Sequence, residues 1–364
     1  MFISKHHYAI ELAKLGNKVY FLNCPDQRNE LRPGQIKIID TEYPNLHVID
    51  HRFFFPFIIR YKGGQLFYKL VTIHIRRILK KLKEEIDIVW SFDNSDAIPL
   101  RCFPESATRI FMPVDELSAE KWIVAAKGAD MIASVTDEIL EKYSAYNIPK
   151  LFLNHGVSSI FINHNIHEGK NTPIQVGLSG NFLRPDVDRI TLLKIIEAHP
   201  DIIFNFWGAV NYVNANIAAE GDQEAISFTN KLSSLPNVKA HGVVNVETLS
   251  SKLKEVDCFL ICYDIQKDQS KGTNYHKILE YLAAGKVTIS NNVTTYQKYP
   301  GLLVMPQTRE NNDELPALFE NVVKNLNKFN SIDEQQKRVD FANNYLYVKQ
   351  IEKIATFLTN TYKT

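Results

Sequence analysis

Lys277 and Glu280 stand three positions apart in the run Lys271-Gly272-Thr273-Asn274-Tyr275-His276-Lys277-Ile278-Leu279-Glu280-Tyr281-Leu282-Ala283-Ala284-Gly285-Lys286. The apolar residues at 278, 279, 282 and 283 make one stripe of a helix, which puts Lys277 and Glu280 together on its flank. Thr273 or Asn274 is suited to cap that helix and Gly285 to end it. An apolar strand at 258–261 precedes it. The first turn therefore offers unpaired N–H groups and the positive end of a dipole at the strand's carboxyl end, a place where a phosphate binds. Glu280, one turn deeper, is placed to accept hydrogen bonds from a sugar's vicinal hydroxyls. The same spacing also describes an i, i+3 salt bridge on a solvated helix, with Thr273 a simple cap.

The elements around this run set its position. Short apolar runs at 19–22, 88–90, 109–112 and 131–134 alternate with helical patterns at 117–127 and 136–146. After the polar stretch 163–173 the cycle restarts, with strands expected at 174–178, 202–206, 238–240, 258–261 and 287–290. Such alternation predicts an α/β chain of two doubly wound, Rossmann-like domains, with ligand at the carboxyl ends of the strands. Expected boundaries are 1–165, 166–340 and a C-terminal segment 341–364. Helices are expected at 313–329, 333–344 and 348–362. Only Met1-Phe2-Ile3 precede a first helix that Ser4 is placed to cap, so either the first strand of that domain is missing or the natural protein begins further upstream.

At 364 residues and 45% hydrophobic, the chain can bury two cores. Its net charge of +1 argues against a dedicated nucleic-acid binder. Cys24, Cys102, Cys258 and Cys262 include no C-x-x-C. On one strand, Cys258 and Cys262 would be about 13 Å apart, too far for a disulfide. A reducing, cytoplasmic setting is expected, with no metal site, no signal peptide and no spanning helix.

Lys277 to Lys286 resembles the lysine–x–x–Glu-Tyr-Leu-Ala–small–Gly–Lys signature of GT-B glycosyltransferases in the broad family-four-like group. Val176-Gly177-Leu178-Ser179-Gly180-Asn181-Phe182 resembles the glycine loop that opens their donor domain, and His241-Gly242-Val243 their nucleobase loop. Leu153-Asn154-His155-Gly156-Val157 resembles their domain-junction segment. The resemblance implies two Rossmann-like domains facing a central cleft, with the last helix crossing back to the first domain through Tyr345–Lys349. It also implies transfer of a sugar from a UDP- or GDP-linked donor to a glycan or lipid-linked acceptor in cell-surface polysaccharide synthesis, with no further cofactor. The donor-binding residues it implies are Gly180, Asn181, Arg184, Val243, Tyr263, Thr273, Asn274, Tyr275, Lys277 and Glu280. Arg184 and Lys277 would offset the leaving diphosphate without a metal. Tyr263 is equally read as a core ring. A nucleotide-sugar epimerase of the same fold, or an inactive sugar-nucleotide binder, fits the same residues.

Retaining members carry a second glutamate eight positions before the first, where this chain has Gly272. Retention and inversion both stay open. An inverting reaction needs a base for the acceptor hydroxyl. Asp115, in Phe111-Met112-Pro113-Val114-Asp115-Glu116, resembles the aspartate that inverting relatives such as the xanthan glucuronosyltransferase use; it is equally the cap of a helix near Leu117. His6 and His7 are weaker rivals. Asp186-Val187-Asp188 matches a D-x-D metal motif, but Asp188 opens a helix running to His199 and reads as its N-cap.

Residues 51–83 hold nine basic side chains (Arg52, Arg60, Lys62, Lys69, Arg76, Arg77, Lys80, Lys81 and Lys83) and no Asp or Glu. A helix there sets apolar residues at 66, 67, 70, 71, 75, 78, 79, 82 and 86 against Lys69, Arg76, Lys80 and Lys83 on its other face. The run Phe53-Phe54-Phe55-Pro56-Phe57 before it is hard to bury wholly. Peripheral contact with an anionic inner leaflet is expected, against the plainer reading of a domain helix with a solvated basic face.

Overall fold

The computed structural model describes residues 4–117, 120–210 and 223–362. They form two units. One runs to Asn154 and resumes at Tyr347; the other spans His155–Leu346.

The N-terminal unit begins with α1 (Ser4–Lys14), β1 (Val19–Leu22), β2 (Ile36–Asp40), β3 (Leu46–His51), α2 (Ile59–Lys62) and α3 (Gln65–Leu82). It continues with β4 (Ile88–Ser91), β5 (Thr108–Phe111), β6 (Met131–Ser134), α4 (Asp137–Lys142) and β7 (Lys150–Phe152). Its strands make a three-stranded sheet, β1-β3-β2, and a four-stranded sheet, β4-β5-β6-β7. The latter is parallel throughout, while β2 runs antiparallel to β3 as an exposed edge. Residues 1–3, which stand where an opening strand was expected to be missing, lie outside the described residues. The pattern at 117–127 is a 3₁₀ helix over Glu120–Ala126, and Thr136 caps α4 by accepting from the Ile139 amide at 3.0 Å.

The phenylalanine run divides between core and surface. Phe53 and Phe55 are buried, stack at 4.7 Å, and pack with Phe67, Val71, Ile75 and Ile78 of α3. Burying such a ring contributes about 1.5–3 kcal/mol, so these two are core, while Phe54 and Phe57 stay half-buried against it and the run is not buried wholly. The exposed apolar side chains of this region are instead Ile58, Tyr61, Leu66 and Ile73. Leu66, expected in the buried stripe, sits in the first turn of α3 and is 53% exposed.

The C-terminal unit contains β8 (Gln175–Ser179), α5 (Arg189–Ala198), β9 (Ile203–Trp207), α6 (Gln223–Ser234), β10 (Val238–Gly242) and α7 (Val246–Glu255). It goes on through β11 (Cys258–Ile261), α8 (Lys277–Ala284), β12 (Val287–Ser290) and α9 (Thr294–Gln297). It ends with α10 (Leu315–Lys324), α11 (Leu326–Phe329) and α12 (Ile332–Asn343). One parallel sheet, β10-β9-β8-β11-β12, carries it. Strand β11 shows why its sequence is uniformly apolar. Cys258 and Leu260 enter one core, Phe259 and Ile261 the other, and all four are buried. The thiols of Cys258 and Cys262 are free, and burial pushes both up. The last helix, α13 (Tyr347–Tyr362), belongs to the N-terminal unit, where Tyr347 stacks on His7 at 4.9 Å and meets Tyr8 edge-on. No described helix is long and apolar enough to cross a membrane.

Candidate functional site

All strands of the C-terminal unit run parallel, so their carboxyl ends share one edge, and chain order reverses between β8 and β11. The loops leaving these two strands diverge there and leave a crevice. Gly180, Asn181 and Arg184 follow β8, Tyr263 follows β11, and Lys277 and Glu280 belong to α8.

Glycines bring the loops together. Gly180 (φ +146°) donates its amide to Trp207 O at 2.9 Å, and Gly208 (φ +130°) donates to Gly242 O at 2.7 Å. A Cβ on Gly208 would fall 1.8 Å from Gly180 O, so no larger residue permits this approach. A Cβ on Gly180 would fall 2.7 Å from the Lys277 ammonium. That ammonium donates to Tyr263 Oη at 2.6 Å and to the Ser179 carbonyl, and lies 4.9 Å from the centre of the Tyr263 ring. Ser179 is held in turn by Tyr281, whose hydroxyl accepts from the Ser179 amide at 2.7 Å and lies 2.8 Å from its Oγ. Burial works to lower the Lys277 pKa, but Tyr263, Tyr281 and Glu280 together hold it above its ordinary value. The crevice thus holds a fixed cation beside a bare glycine loop.

Six of the eight residues of α8 are buried; Lys277 and Glu280 are the other two. A solvated helix with an i, i+3 bridge is therefore not what forms. Lys277 turns to Tyr263 and Ser179, while Glu280 Oε1 stands 3.6 Å from His276 Nδ1. Burial raises the Glu280 carboxyl, and His276 and Lys277 temper the shift. The His276 ring meets His155 edge-on, and burial with this neighbour draws His155 down to about 3.

The helix start is corrected. α8 begins at Lys277, with His276 at the N-cap making no side-chain cap bond, and Glu280 is in its first turn. Thr273, Asn274 and Tyr275 lie buried in the preceding loop. Thr273 Oγ1 donates to Ser270 O at 2.8 Å, and Tyr275 Oη donates to Asp268 Oδ2 at 2.8 Å while accepting from Asn291 Nδ2 at 3.0 Å. Cap-forming side chains are spent on folding the loop. Gly285 ends the helix at φ +86°, as its type requires.

Arg184 grips Asp186, its Nε donating to both carboxylate oxygens at 3.0 Å, and the bond raises the guanidinium pKa. Asp188 caps α5, accepting from the Thr191 amide at 3.0 Å and from Asn312 Nδ2 at 2.8 Å. The D-x-D pair thus has structural partners. Asn181 Oδ1 accepts from the Leu183 amide at 3.1 Å. Val243 is 57% exposed in the loop between β10 and α7. Trp207 and His241, at the ends of β9 and β10, stack at 5.0 Å, and His241 Nε2 is 2.9 Å from Asn205 Oδ1.

Asp115 belongs to the N-terminal unit, exposed in the loop after β5, with its carbonyl accepting from Asn94 Nδ2 at 3.1 Å. The next described helix is the 3₁₀ helix Glu120–Ala126, and the residues just after Leu117, on which the cap reading of Asp115 falls, lie outside the described residues. His6 and His7 stack on Phe21 and Tyr347. Sequence reasoning did not single out Ser179, Asp268, His276 or Tyr281. The tyrosine of Glu280-Tyr281 was a usable signal, because a phenol on the buried face of a helix needs a polar partner.

No protein-family model matches the chain, and no curated protein matches it in sequence. Solved structures do. The sucrose-phosphate synthase of Thermosynechococcus elongatus superposes with a TM-score of 0.66 at 14% identity, covering 98% of this chain and 92% of its own. An α,α-trehalose-phosphate synthase (UDP-forming) from Burkholderia xenovorans does so at 0.64 and 10% identity, covering 96% of each chain. The GtfA/B complex matches at 0.55 and 13% identity over 80% of this chain, which spans only 61% of that one. The chain has the GT-B fold of these proteins.

Proposed function

We propose that the chain is a glycosyltransferase that moves a sugar from a UDP- or GDP-linked donor to a glycan or lipid-linked acceptor. The observation that carries this reading is the Lys277 ammonium, fixed between Tyr263 and Ser179 at the strand-order switch, with no side chain between it and Gly180. A diphosphate there meets a cation already oriented for it. Arg184, oriented by Asp186, adds countercharge. Glu280, mostly buried in the first turn of α8, takes the ribose hydroxyls; Val243, exposed beside the Trp207–His241 stack, takes the base. Asn181, Thr273, Asn274 and Tyr275 shape the loops around the donor. Asp115 serves as the base that removes the acceptor's proton.

The fold shared with two sugar-phosphate synthases and GtfA supports the class of reaction. We assign the acceptor to cell-surface polysaccharide synthesis on the cytoplasmic face of the membrane. Support comes from α3, whose Lys69, Arg76, Lys80 and Lys83 neighbourhood is exposed together with Leu66 and Ile73 and follows the exposed Ile58 and Tyr61. Basic residues next to an anionic leaflet contribute about 1 kcal/mol each.

Release of UDP or GDP from the matching nucleotide sugars, with and without acceptor, tests the reading. Acceptor-stimulated release is the expected result. Interconversion of the sugar without release would make the chain an epimerase, and binding without either would make it an inactive binder, the reading Gly272 favours.

A further inference from the structure

We propose that a depression in the N-terminal unit, apart from the donor crevice, binds a phosphate-bearing ligand. It is a shallow depression open to solvent, with a volume of about 470 Å³, lined by Gly34, Ile36, Arg77, Lys80 and Lys81. Three of the five lining residues are cations, none is acidic, and residues 51–83 contain no Asp or Glu at all.

Two of the cations are held in place. Arg77 Nη2 donates to Gly34 O at 3.3 Å, and the guanidinium lies 5.4 Å from the Phe54 ring centre. Lys81 Nζ donates to Ile36 O at 2.6 Å. Gly34 makes room for this. It sits at φ +75°, and a Cβ there would fall 3.0 Å from Arg77 Nη1 and 3.1 Å from Phe54 Cβ. A side chain at 34 would push the guanidinium away. Lys80, the third cation, is exposed and forms no ion pair among the described residues. The glutamate closest in sequence, Glu84, is engaged by Lys18 and Tyr20.

The carboxyl end of α3 lies nearby and opposes an anion with about half a negative charge. Three full cations outweigh it. A guanidinium anchored through one nitrogen keeps its other donors in a plane that matches phosphate oxygens. The site therefore differs from a diffuse basic face. It selects a compact phosphate, either on a soluble ligand or in the headgroup of a lipid.

Two charge-matched double variants of the full chain separate the possibilities. Lys80→Gln with Lys81→Gln empties the depression of two cations, whereas Lys69→Gln with Arg76→Gln removes the same charge from α3 without touching the lining. Inorganic phosphate binding is read by calorimetry at low ionic strength, and sedimentation is read with phosphatidylglycerol vesicles and with phosphatidylcholine vesicles. The expected result is a saturable phosphate site that survives Lys277→Ala, weakened about tenfold by the first pair and little by the second. If the first pair also releases the protein from phosphatidylglycerol vesicles more than the second does, the phosphate is a lipid headgroup. If vesicle binding ignores the difference while phosphate binding is lost, the ligand is soluble. Equal effects of both pairs, or no phosphate binding together with no vesicle difference, overturn the proposal. Should the first pair lower the melting temperature, Arg77→Gln with Lys80→Gln replaces it. None of these measurements uses a nucleotide sugar, so they stand or fall apart from the transfer reaction.

Discussion

Lys277→Ala is the substitution with the largest expected effect on donor binding. In the folded protein the ammonium already donates to Tyr263 Oη and Ser179 O. Binding a diphosphate therefore trades or shares those bonds rather than recruiting a solvated lysine. A charge-assisted hydrogen bond contributes about 1.5–3 kcal/mol. Attraction between the ammonium and a phosphate oxygen about 4 Å away is about 4 kcal/mol at the effective dielectric of a protein surface. The two figures describe one contact, and part of it is spent in loosening Tyr263, so a net loss of about 2–3 kcal/mol is expected, or about 30- to 150-fold in Kd. Calorimetry with UDP, UMP and uridine, repeated with the guanine series, resolves the effect. UDP should lose that affinity, UMP less of it, and uridine almost none. A folded variant that still binds the diphosphate at the original affinity, or that loses uridine and UDP alike, would refute the placement of the diphosphate at Lys277.

Glu280→Ala should weaken nucleoside as well as nucleotide binding by about 1.5–3 kcal/mol, measured in the same titration, with the melting temperature nearly unchanged. Asp115→Asn should cut turnover at least about a hundredfold at unaltered donor affinity; full activity would remove Asp115 from the chemistry. Acid should destabilise the N-terminal unit. Burial first, and then His51 and Arg77 facing it, hold His74 at about 3, and burial holds His51 at about 4 with Asn23 and Asp50 opposing. Both rings are neutral in the fold, so their contribution is complete above about 6.5 and falls as pH drops toward 4. Asp96, raised to about 6 by burial, takes up its proton in the fold and works the other way. Two protons gained by the unfolded chain against one gained by the fold leave a net loss of about 1.4 kcal/mol per pH unit between about 6 and 4. Melting curves across that range should show the slope, and His74→Gln should flatten it. Gly272→Ala forces a side chain into φ +67° and sets its Cβ 3.0 Å from Asn292 O, so a loss of about 1–2 kcal/mol is expected in denaturant unfolding.

What could be read from the sequence followed burial. Strands β11 and β12 are covered on both faces, and such strands leave continuous apolar runs that need no partner to be recognised. Strands β2 and β3 were not anticipated. Four of the five residues of β2 are exposed, and its antiparallel pairing with β3 leaves neither a clean alternation nor a run. The flank shared by Lys277 and Glu280 was legible because helical spacing fixes it. The start of that helix was not, because Thr273 and Asn274 are of cap type and their sequence does not say whether they cap a helix or fold a loop. Their neighbours decided it. Asp268 accepts from the Ser270 and Gly272 amides and from Tyr275 Oη, and this closes the loop before the helix begins. The phenylalanine run was legible in part: Phe54 and Phe57 stay half-buried, as a run hard to bury wholly would, but its sequence does not say that α3 covers Phe53 and Phe55.

The same loop bears on the chemistry. The family resemblance sets a glutamate where Gly272 stands, and the departure is more than an exchange of side chains. Gly272 adopts a left-handed backbone, donates its amide to Asp268 at 2.9 Å, and leaves no room toward Asn292 O for a Cβ. A glutamate there would meet strain of about 1–2 kcal/mol and displace the backbone beside it. Asp268, the carboxylate closest in sequence, is buried and already accepts from Ser270, Gly272 and Tyr275, so turning it toward a sugar would break those bonds and leave their donors unpaired in the interior. The loop is thus folded around the absence of a reactive acid. On the proposed reading the acceptor's proton goes to Asp115, outside this loop, so the outcome at Asp115 tests the chemistry more directly than any reversion at position 272.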